Sequence, residues 1–332
     1  MEKIHISEPT AHNLISFDRP NNQEWKEVFN QVKYQIETDG YCVIQAGSTD
    51  RSVLLELAKY FGNPQRSLGS DEWGIAEVST FNNGNKNILT SQNQYLSNTA
   101  QEFPCHTDGA FLLGIAKTKD GRLLQISPPK LVVLQMVNTA EEGGASVLVD
   151  SQRVLEDALD WDSDLVKVLL KPCVAYARGD QLACSSVFER ISSETWRIRW
   201  RYDFTTLVEE SAGDAIKLFH SKYISNPKYQ KRFYLQPGEI LIVDNFRVIH
   251  GREAFKERTE KSRLLNVVWI ADTEKFFINP VCQLKYQQVY DLYEPYTNAE
   301  VENRKPAISV CAGIQLSPNR QAIAKQLLCE LL

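Results

Sequence analysis

The chain has 332 residues, of which 43% are hydrophobic and 24% charged, with a formal net charge of −5. These are ordinary globular values that allow a sizeable core, and the mild acidity offers no global attraction to nucleic acid or acidic membranes. The seven cysteines (42, 105, 173, 184, 282, 311 and 329) are odd in number and never form a Cys-x-x-Cys pair. That argues against a disulfide framework or a Cys-rich zinc site and for a reducing, cytoplasmic setting. No basic-then-apolar leader opens the chain, and no apolar run approaches the ~18 residues of a membrane span.

In chain order, residues 1–21 read as irregular around Pro9 and Pro20. Trp25, Val28, Phe29, Val32 and Ile36 keep a 3.6-residue spacing, which predicts a helix stopped by Gly40. Tyr41 to Ile44 follows as a short buried strand, and Val53 to Phe61 as a second helix closed by Gly62. Strands are expected at Ile75 to Phe81 and Ile88 to Ser91, on either side of an Asn83-Gly84 turn.

Lys130 to Val137, rich in β-branched residues, and Ala145 to Asp150, after the Gly143-Gly144 turn, are the next strands. Gln152 to Leu170 has helical spacing throughout. Thr195 to Tyr202 alternates apolar with cationic residues, the pattern of a strand with one wet face. A helix over 212–223 comes next, then Arg232 to Leu235 and Glu239 to Asp244 as a hairpin about Pro237-Gly238. Arg263 to Ile270 is the last strand, and residues 320–332 a terminal helix. Without a repeat, a low-complexity linker or a visible boundary, residues 1–332 are expected to form one domain, a sandwich or jelly roll of short strands with packed helices.

Chemistry concentrates in Pro104-Cys105-His106-Thr107-Asp108-Gly109. On a strand, residues i and i+2 share a side, so His106 and Asp108 can grip one ion while Thr107 faces away. A third ligand is available in Asp244-Asn245-Phe246-Arg247-Val248-Ile249-His250-Gly251-Arg252, where His250 follows a buried strand and a turn. Two histidines and one carboxylate on one side of a metal leave the opposite positions open, as in non-haem Fe(II) oxygenases. Of the other three histidines, His5 and His12 sit in a polar segment and His220 on an amphipathic helix, and an ordinary surface or hydrogen-bonding role suits them better. Arg263 heads the apolar run Leu264-Leu265-Asn266-Val267-Val268-Trp269, and a buried charge there requires an anionic partner, either a structural carboxylate or a ligand.

His106-Thr107-Asp108, Gly143-Gly144-Ala145-Ser146, Pro237-Gly238-Glu239, Asp244 through Arg252 and Arg263, in that order, resemble the TauD/TfdA family of Fe(II)- and 2-oxoglutarate-dependent oxygenases. The resemblance runs from about Gly40 to about Ala271. It implies a double-stranded β-helix, Fe(II) held by His106, Asp108 and His250, and 2-oxoglutarate whose distal carboxylate meets Arg263, with help from Ser146. It also implies dioxygen and a small-molecule substrate as partners. Three departures narrow that substrate. Val267 stands where taurine dioxygenase has a second arginine, Asp108 where clavaminate-like amino-acid hydroxylases usually have Glu, and residues 1–40 lack the zinc module of γ-butyrobetaine hydroxylase. The carboxylate of Asp108 fills the place a halide would need, which favours hydroxylation over halogenation; desaturation and epimerisation remain alternatives.

The expected substrate is an amino acid or related amine, free or tethered to a carrier protein. Gln92, Arg199, Arg247 and Arg252 are candidate contacts for it, and Trp196, Trp200 and Tyr202 a candidate amine box. Two readings from other classes are a Cys105-dependent hydrolase, disfavoured because Cys105 and His106 face opposite ways on a strand, and a non-catalytic metal-binding protein on the same fold.

Overall fold

The structure is a computed structural model that describes residues 14–16, 22–65, 67, 69–80, 96–117, 123–178, 181–258, 261–271, 288–291 and 307–331. Its frame is a pair of sheets. The larger runs Leu14–Ser16, Tyr41–Gln45, Glu239–Asp244, Leu131–Asn138, Leu264–Ile270 and Pro64–Gln65, and Ile75–Ser79 also pairs with Leu264–Ile270. The smaller runs Gln230–Phe233, Ser146–Asp150, Val248–Arg252 and Phe103–His106.

The central strands of the larger sheet carry apolar residues at both parities because both of its faces are covered, apart from the buried Gln135 and Asn266, whose amides hydrogen-bond to each other at 3.0 Å. Tyr41, Val43, Val132, Leu241, Val243, Leu265, Val267 and Trp269 turn inward, into one cluster with Leu148, Val149, Val248 and Ile249 of the smaller sheet. Their neighbours Cys42, Ile44, Leu131, Val133, Ile240, Ile242, Val268 and Ile270 turn outward. There they meet Phe29, Val32 and Ile36 of the helix Asn22–Asp39 and Leu54, Leu57, Ala58 and Phe61 of the helix Arg51–Phe61. The inner cluster extends into a helical layer from Ser151–Trp161, Ser163–Leu169 and Gly213–Phe219. The chain is mainly β with flanking helices.

Several elements differ from expectation, each for a local reason. The helix expected from Gln152 to Leu170 breaks at Asp162, whose backbone leaves the helical region (φ −143°, ψ 49°) while its carboxylate accepts hydrogen bonds from Lys222 Nζ at 2.5 Å and from the Tyr223 hydroxyl. The expected hairpin over residues 232–244 does not form. Gln230–Phe233 pairs with Ser146–Asp150 in one sheet, whereas Glu239–Asp244 lies between Tyr41–Gln45 and Leu131–Asn138 in the other, so the Pro237-Gly238 turn carries the chain across the sandwich.

The strand expected over Thr195–Tyr202 ends at Ile198, and it has no wet face. Arg197 and Arg199 are buried against Glu189 of the adjacent strand, whose carboxylate lies 2.5 Å from Arg197 Nε and 3.4 Å from an Arg199 terminal nitrogen. Alternation alone cannot distinguish water from a buried counter-charge. The helix expected at 212–223 is helical over Gly213–Phe219 and widens to a π-turn over His220–Ile224. The N-terminal segment contributes the edge strand Leu14–Ser16, and the terminal helix spans Pro318–Cys329. Ile75–Ser79 is a strand, whereas Ile88 to Ser91 and the Asn83-Gly84 turn lie outside the described residues.

Candidate metal centre

His106 is the last residue of Phe103–His106 and pairs directly across the smaller sheet with His250 of Val248–Arg252. The rings are 4.8 Å apart between centroids. His250 therefore sits within a strand that begins just after the turn following Glu239–Asp244. Asp108 reaches the pair by a different route from the strand alternation expected: the strand has ended, and a turn through Gly109 (φ +67°) brings the carboxylate back. A Cβ on Gly109 would stand 2.7 Å from Pro129 Cδ, so only glycine fits there. Thr107 faces away, its amide donating to the Trp200 carbonyl at 2.8 Å and its hydroxyl accepting from the Trp200 amide at 3.0 Å.

One ligand atom from each of His106, Asp108 and His250 lies within 4.8 Å of the others. Asp108 Oδ1 is 3.3 Å from His106 Nε2, and Oδ2 is 3.7 Å from His250 Nε2. The second nitrogen of His106, Nδ1, donates to the Pro104 carbonyl at 2.9 Å, which leaves Nε2 its lone pair. Burial pushes His250 down to about 4, with the nearby His106 and Arg201 charges adding to the effect and Asp108 opposing it. Burial alone would raise Asp108, but the hydrogen bond with His106, the charges of His250 and His106 and the Trp269 indole outweigh it and hold the carboxyl well below the usual range. A neutral imidazole and an ionised carboxylate are the forms that bind a metal. The donor set of two nitrogens and one oxygen, confined to one side, fits a divalent first-row ion with open positions.

Arg263 immediately precedes the strand Leu264–Ile270, in step with the inward residues Leu265, Val267 and Trp269, and its guanidinium lies over the Phe255 ring. It is 5% exposed, and among the described residues its guanidinium has no hydrogen bond or ion pair. Burial and the neighbouring Arg252 push it down to about 9, with Glu257 opposing. Glu257 itself is occupied by the Arg263 backbone amide and the Thr80 hydroxyl. Gly144 allows the close approach, since a Cβ there would stand 3.4 Å from Arg263 Nε. Ser146, buried two residues further on, lies opposite Arg252 in the smaller sheet, and its hydroxyl has no partner among the described residues.

The candidate substrate contacts are not brought to this space as expected. Arg199 is fully buried and donates to the carbonyls of Ala110 (2.8 Å) and Leu112 (2.9 Å), holding the turn that follows Asp108. Arg247 grips both oxygens of Asp150 (2.8 and 2.7 Å) and the carbonyls of Glu37 and Thr38 at the end of the first helix. Arg252 donates to the carbonyls of Thr99 (2.9 Å) and Gln101, clamping the segment that leads into Phe103–His106. In all three, main-chain carbonyls or a carboxylate engage the terminal guanidinium nitrogens, which gives them structural roles. Gln92 lies outside the described residues. Trp196 and Trp200 have no exposed surface and do not form an amine box; Tyr202 stacks on His220 at 4.0 Å between centroids and packs beside Trp200 at 5.9 Å. The Cys105 thiol is pushed up to about 12 by burial and the Glu102 charge, with Arg232 opposing, so no thiolate is available for the hydrolase alternative.

Three residues near the ligands carry no sequence signal of their own. The Asn245 side chain accepts from the Asp108 amide at 2.8 Å and donates to the Asp108 and Pro129 carbonyls at 3.0 and 2.9 Å. Trp269 Nε1 donates to Asp108 Oδ2 at 2.9 Å. Arg201, with its side chain 12% exposed, is held by Asp203 at 2.6 Å above the Phe103 ring, which in turn packs on His106. Only the parity of Trp269 with Arg263 along one strand could have flagged any of them.

Two sheets meeting at a two-histidine, one-carboxylate cluster, with a buried arginine that has no ion pair among the described residues, define a class of metal-site β protein. Residues 6–269 match the family described as "Taurine catabolism dioxygenase TauD, TfdA family", and the chain belongs to that family. It is 27% identical over 156 residues to a uridine-5'-phosphate dioxygenase of Amycolatopsis sp, a match covering 44% of this chain and 57% of that protein. It is 24% identical over 142 residues to a trimethyllysine dioxygenase of Meyerozyma guilliermondii, covering 38% and 36%. The matches thus span little more than half the length of these curated relatives at most. Among solved structures, asparagine oxygenase in complex with Fe(II), hydroxyasparagine and succinate aligns with a TM-score of 0.55 at 20% identity, over 75% of this chain and 79% of that one. The non-haem iron oxygenase OrfP in complex with Fe and alpha-ketoglutaric acid aligns at 0.51 and 15%, over 74% and 80%. At these identities the likeness is one of fold.

Proposed function

We propose that this chain is an Fe(II)- and 2-oxoglutarate-dependent oxygenase that hydroxylates a C–H bond of a small molecule, an amino acid or related amine, free or carrier-tethered. The fold is read as a double-stranded β-helix and the chain as one catalytic domain. The observation that carries the proposal is the buried guanidinium of Arg263, which lies over the Phe255 ring but has no hydrogen bond or ion pair among the described residues, in step along the chain with Trp269, whose indole reaches Asp108. A metal-binding scaffold has no use for that uncompensated cation, whereas a dicarboxylate co-substrate supplies its missing anion.

In this reading His106, Asp108 and His250 hold the metal, while Arg263 and Ser146 hold the distal carboxylate of 2-oxoglutarate. When bound, iron and 2-oxoglutarate supply the oxidising chemistry, in which dioxygen is consumed and the keto acid leaves as succinate and carbon dioxide. The protein's own part is orientation and exclusion of water: the paired strands fix both imidazoles, the Gly109 turn fixes the carboxylate, and the apolar inner faces keep the space dry.

Amino-acid substrates are favoured by the asparagine oxygenase and OrfP structures, which are complexes with hydroxylated asparagine and hydroxylated arginine. A second reading, a nucleotide monophosphate, is favoured by the uridine-5'-phosphate dioxygenase relatives. Succinate formation requiring both Fe(II) and 2-oxoglutarate, screened by mass spectrometry against amino acids, amines and uridine 5'-phosphate, tests both. His106→Ala is expected to lose that turnover by at least a hundredfold and Cys105→Ala to retain it. Metal-independent turnover, or loss in Cys105→Ala alone, would revive the hydrolase reading.

A further inference from the structure

The ligand Asp108 is restrained from two directions. Its backbone is clasped on both sides by the Asn245 amide, which fixes where the residue sits. That clasp leaves the side-chain torsions free, and χ2, which turns the carboxylate, has broad and shallow preferences. An unrestrained carboxylate can offer a metal one oxygen or both. Here the larger sheet intervenes. Trp269, 6% exposed on the inner face of Leu264–Ile270, points its indole N–H at Oδ2 from 2.9 Å, while Oδ1 stands 3.3 Å from His106 Nε2. Oδ2 also lies 3.7 Å from His250 Nε2, so the carboxylate plane spans both imidazoles and either oxygen could turn to the metal without an outside constraint.

We infer that Trp269 is a positioning residue that commits Oδ2 of Asp108 to the indole, making Asp108 a one-oxygen ligand through Oδ1. The inference rests on the proposed metal site and adds the reason the site stays open. A two-oxygen carboxylate would fill a position that a chelating keto acid and dioxygen need. A neutral N–H suits the role because it is a donor only, so it neither competes for the metal nor changes charge with pH. Hydrogen bonds to a ligating carboxylate fix its orientation, and their removal typically costs about 10–100-fold in metal affinity or activity.

The test is Trp269→Phe, which keeps most of the ring volume and removes the donor. Fe(II) binding to the full chain is titrated anaerobically by calorimetry, and Co(II) serves as a spectroscopic substitute whose visible bands report coordination number. The variant is expected to bind Fe(II) about 10–100-fold more weakly and to show altered Co(II) bands. Trp200→Phe is the control, because that equally buried indole has no hydrogen-bond partner among the described residues, and it is expected to bind as the wild type does. If Trp269→Phe fails to fold, the indole ¹⁵N–¹H resonances of the wild type decide. One should be protected from solvent exchange and move when Zn(II) is added.

Wild-type affinity and unchanged Co(II) bands in a folded Trp269→Phe would overturn the inference while leaving the proposed function standing, as would the absence of any protected, metal-sensitive indole. Failure of the wild type to bind Fe(II) at all would sink the proposed function, and the role of Trp269 with it.

Discussion

Arg263 shows what can be learned at the scale of one residue. A guanidinium removed from water, repelled by Arg252 and given no acceptor among the described residues is a cost to the fold. Replacing it should therefore cost the folded protein little, in contrast to most buried-arginine changes. Arg263→Met is expected to keep or slightly raise the unfolding midpoint while weakening 2-oxoglutarate by about 3 kcal/mol, on the order of a hundredfold in KM. Steady-state kinetics beside a urea melt checks both halves. A normal KM, or a collapse in stability, would mean that the arginine serves the fold. Arg199, Arg247 and Arg252 are the counter-example. Each was likewise a candidate anion-binding cation in sequence, and each has its terminal nitrogens engaged by partners far away along the chain.

Among the elements, the Phe188–Arg190 and Thr195–Ile198 pair carries the most electrostatic risk. Glu189 answers two buried arginines, and through Arg199 it supports the Gly109–Leu112 turn next to the metal ligands. Burial by itself would raise Glu189, but Arg197 and Arg199 outweigh it and keep the carboxylate ionised. Glu189→Gln leaves both cations without a counter-charge and is expected to destabilise by about 3–5 kcal/mol, read from the urea midpoint. Metal affinity should fall with it as the turn loosens. An unchanged midpoint would show that water, not Glu189, satisfies these arginines.

Across the whole molecule, the site joins the two sheets: both histidines come from the smaller, Arg263 and Trp269 from the larger, and Asp108 touches each. Ligands bound between layers stabilise the folded state by mass action. Fe(II) and 2-oxoglutarate, each at about 100 times its dissociation constant, should add about 2.7 kcal/mol apiece, which for a chain of this size raises Tm by about 4 °C per ligand. The increment from 2-oxoglutarate should vanish in Arg263→Met, and that from Fe(II) in His250→Ala. Equal shifts in all three proteins would place the ligands elsewhere.

What the sequence by itself determined was local or recorded in order along the chain: the strand and helix periods, the Gly-Gly turn, the His-x-Asp segment and the distant His250 and Arg263. Apolar periodicity follows from which face is buried, so the strands of the larger sheet were readable without a partner in view. The motif order carried the family. Tertiary structure alone decided which sheet each strand joins, why the expected hairpin crosses between layers instead, and which of four similar arginines has a guanidinium without a hydrogen-bond acceptor among the described residues. It also decided that an indole from one sheet meets a carboxylate from the other. Those are pairings between residues far apart along the chain, and charge or hydrogen-bond complementarity at that separation leaves no periodic mark on either partner's neighbours.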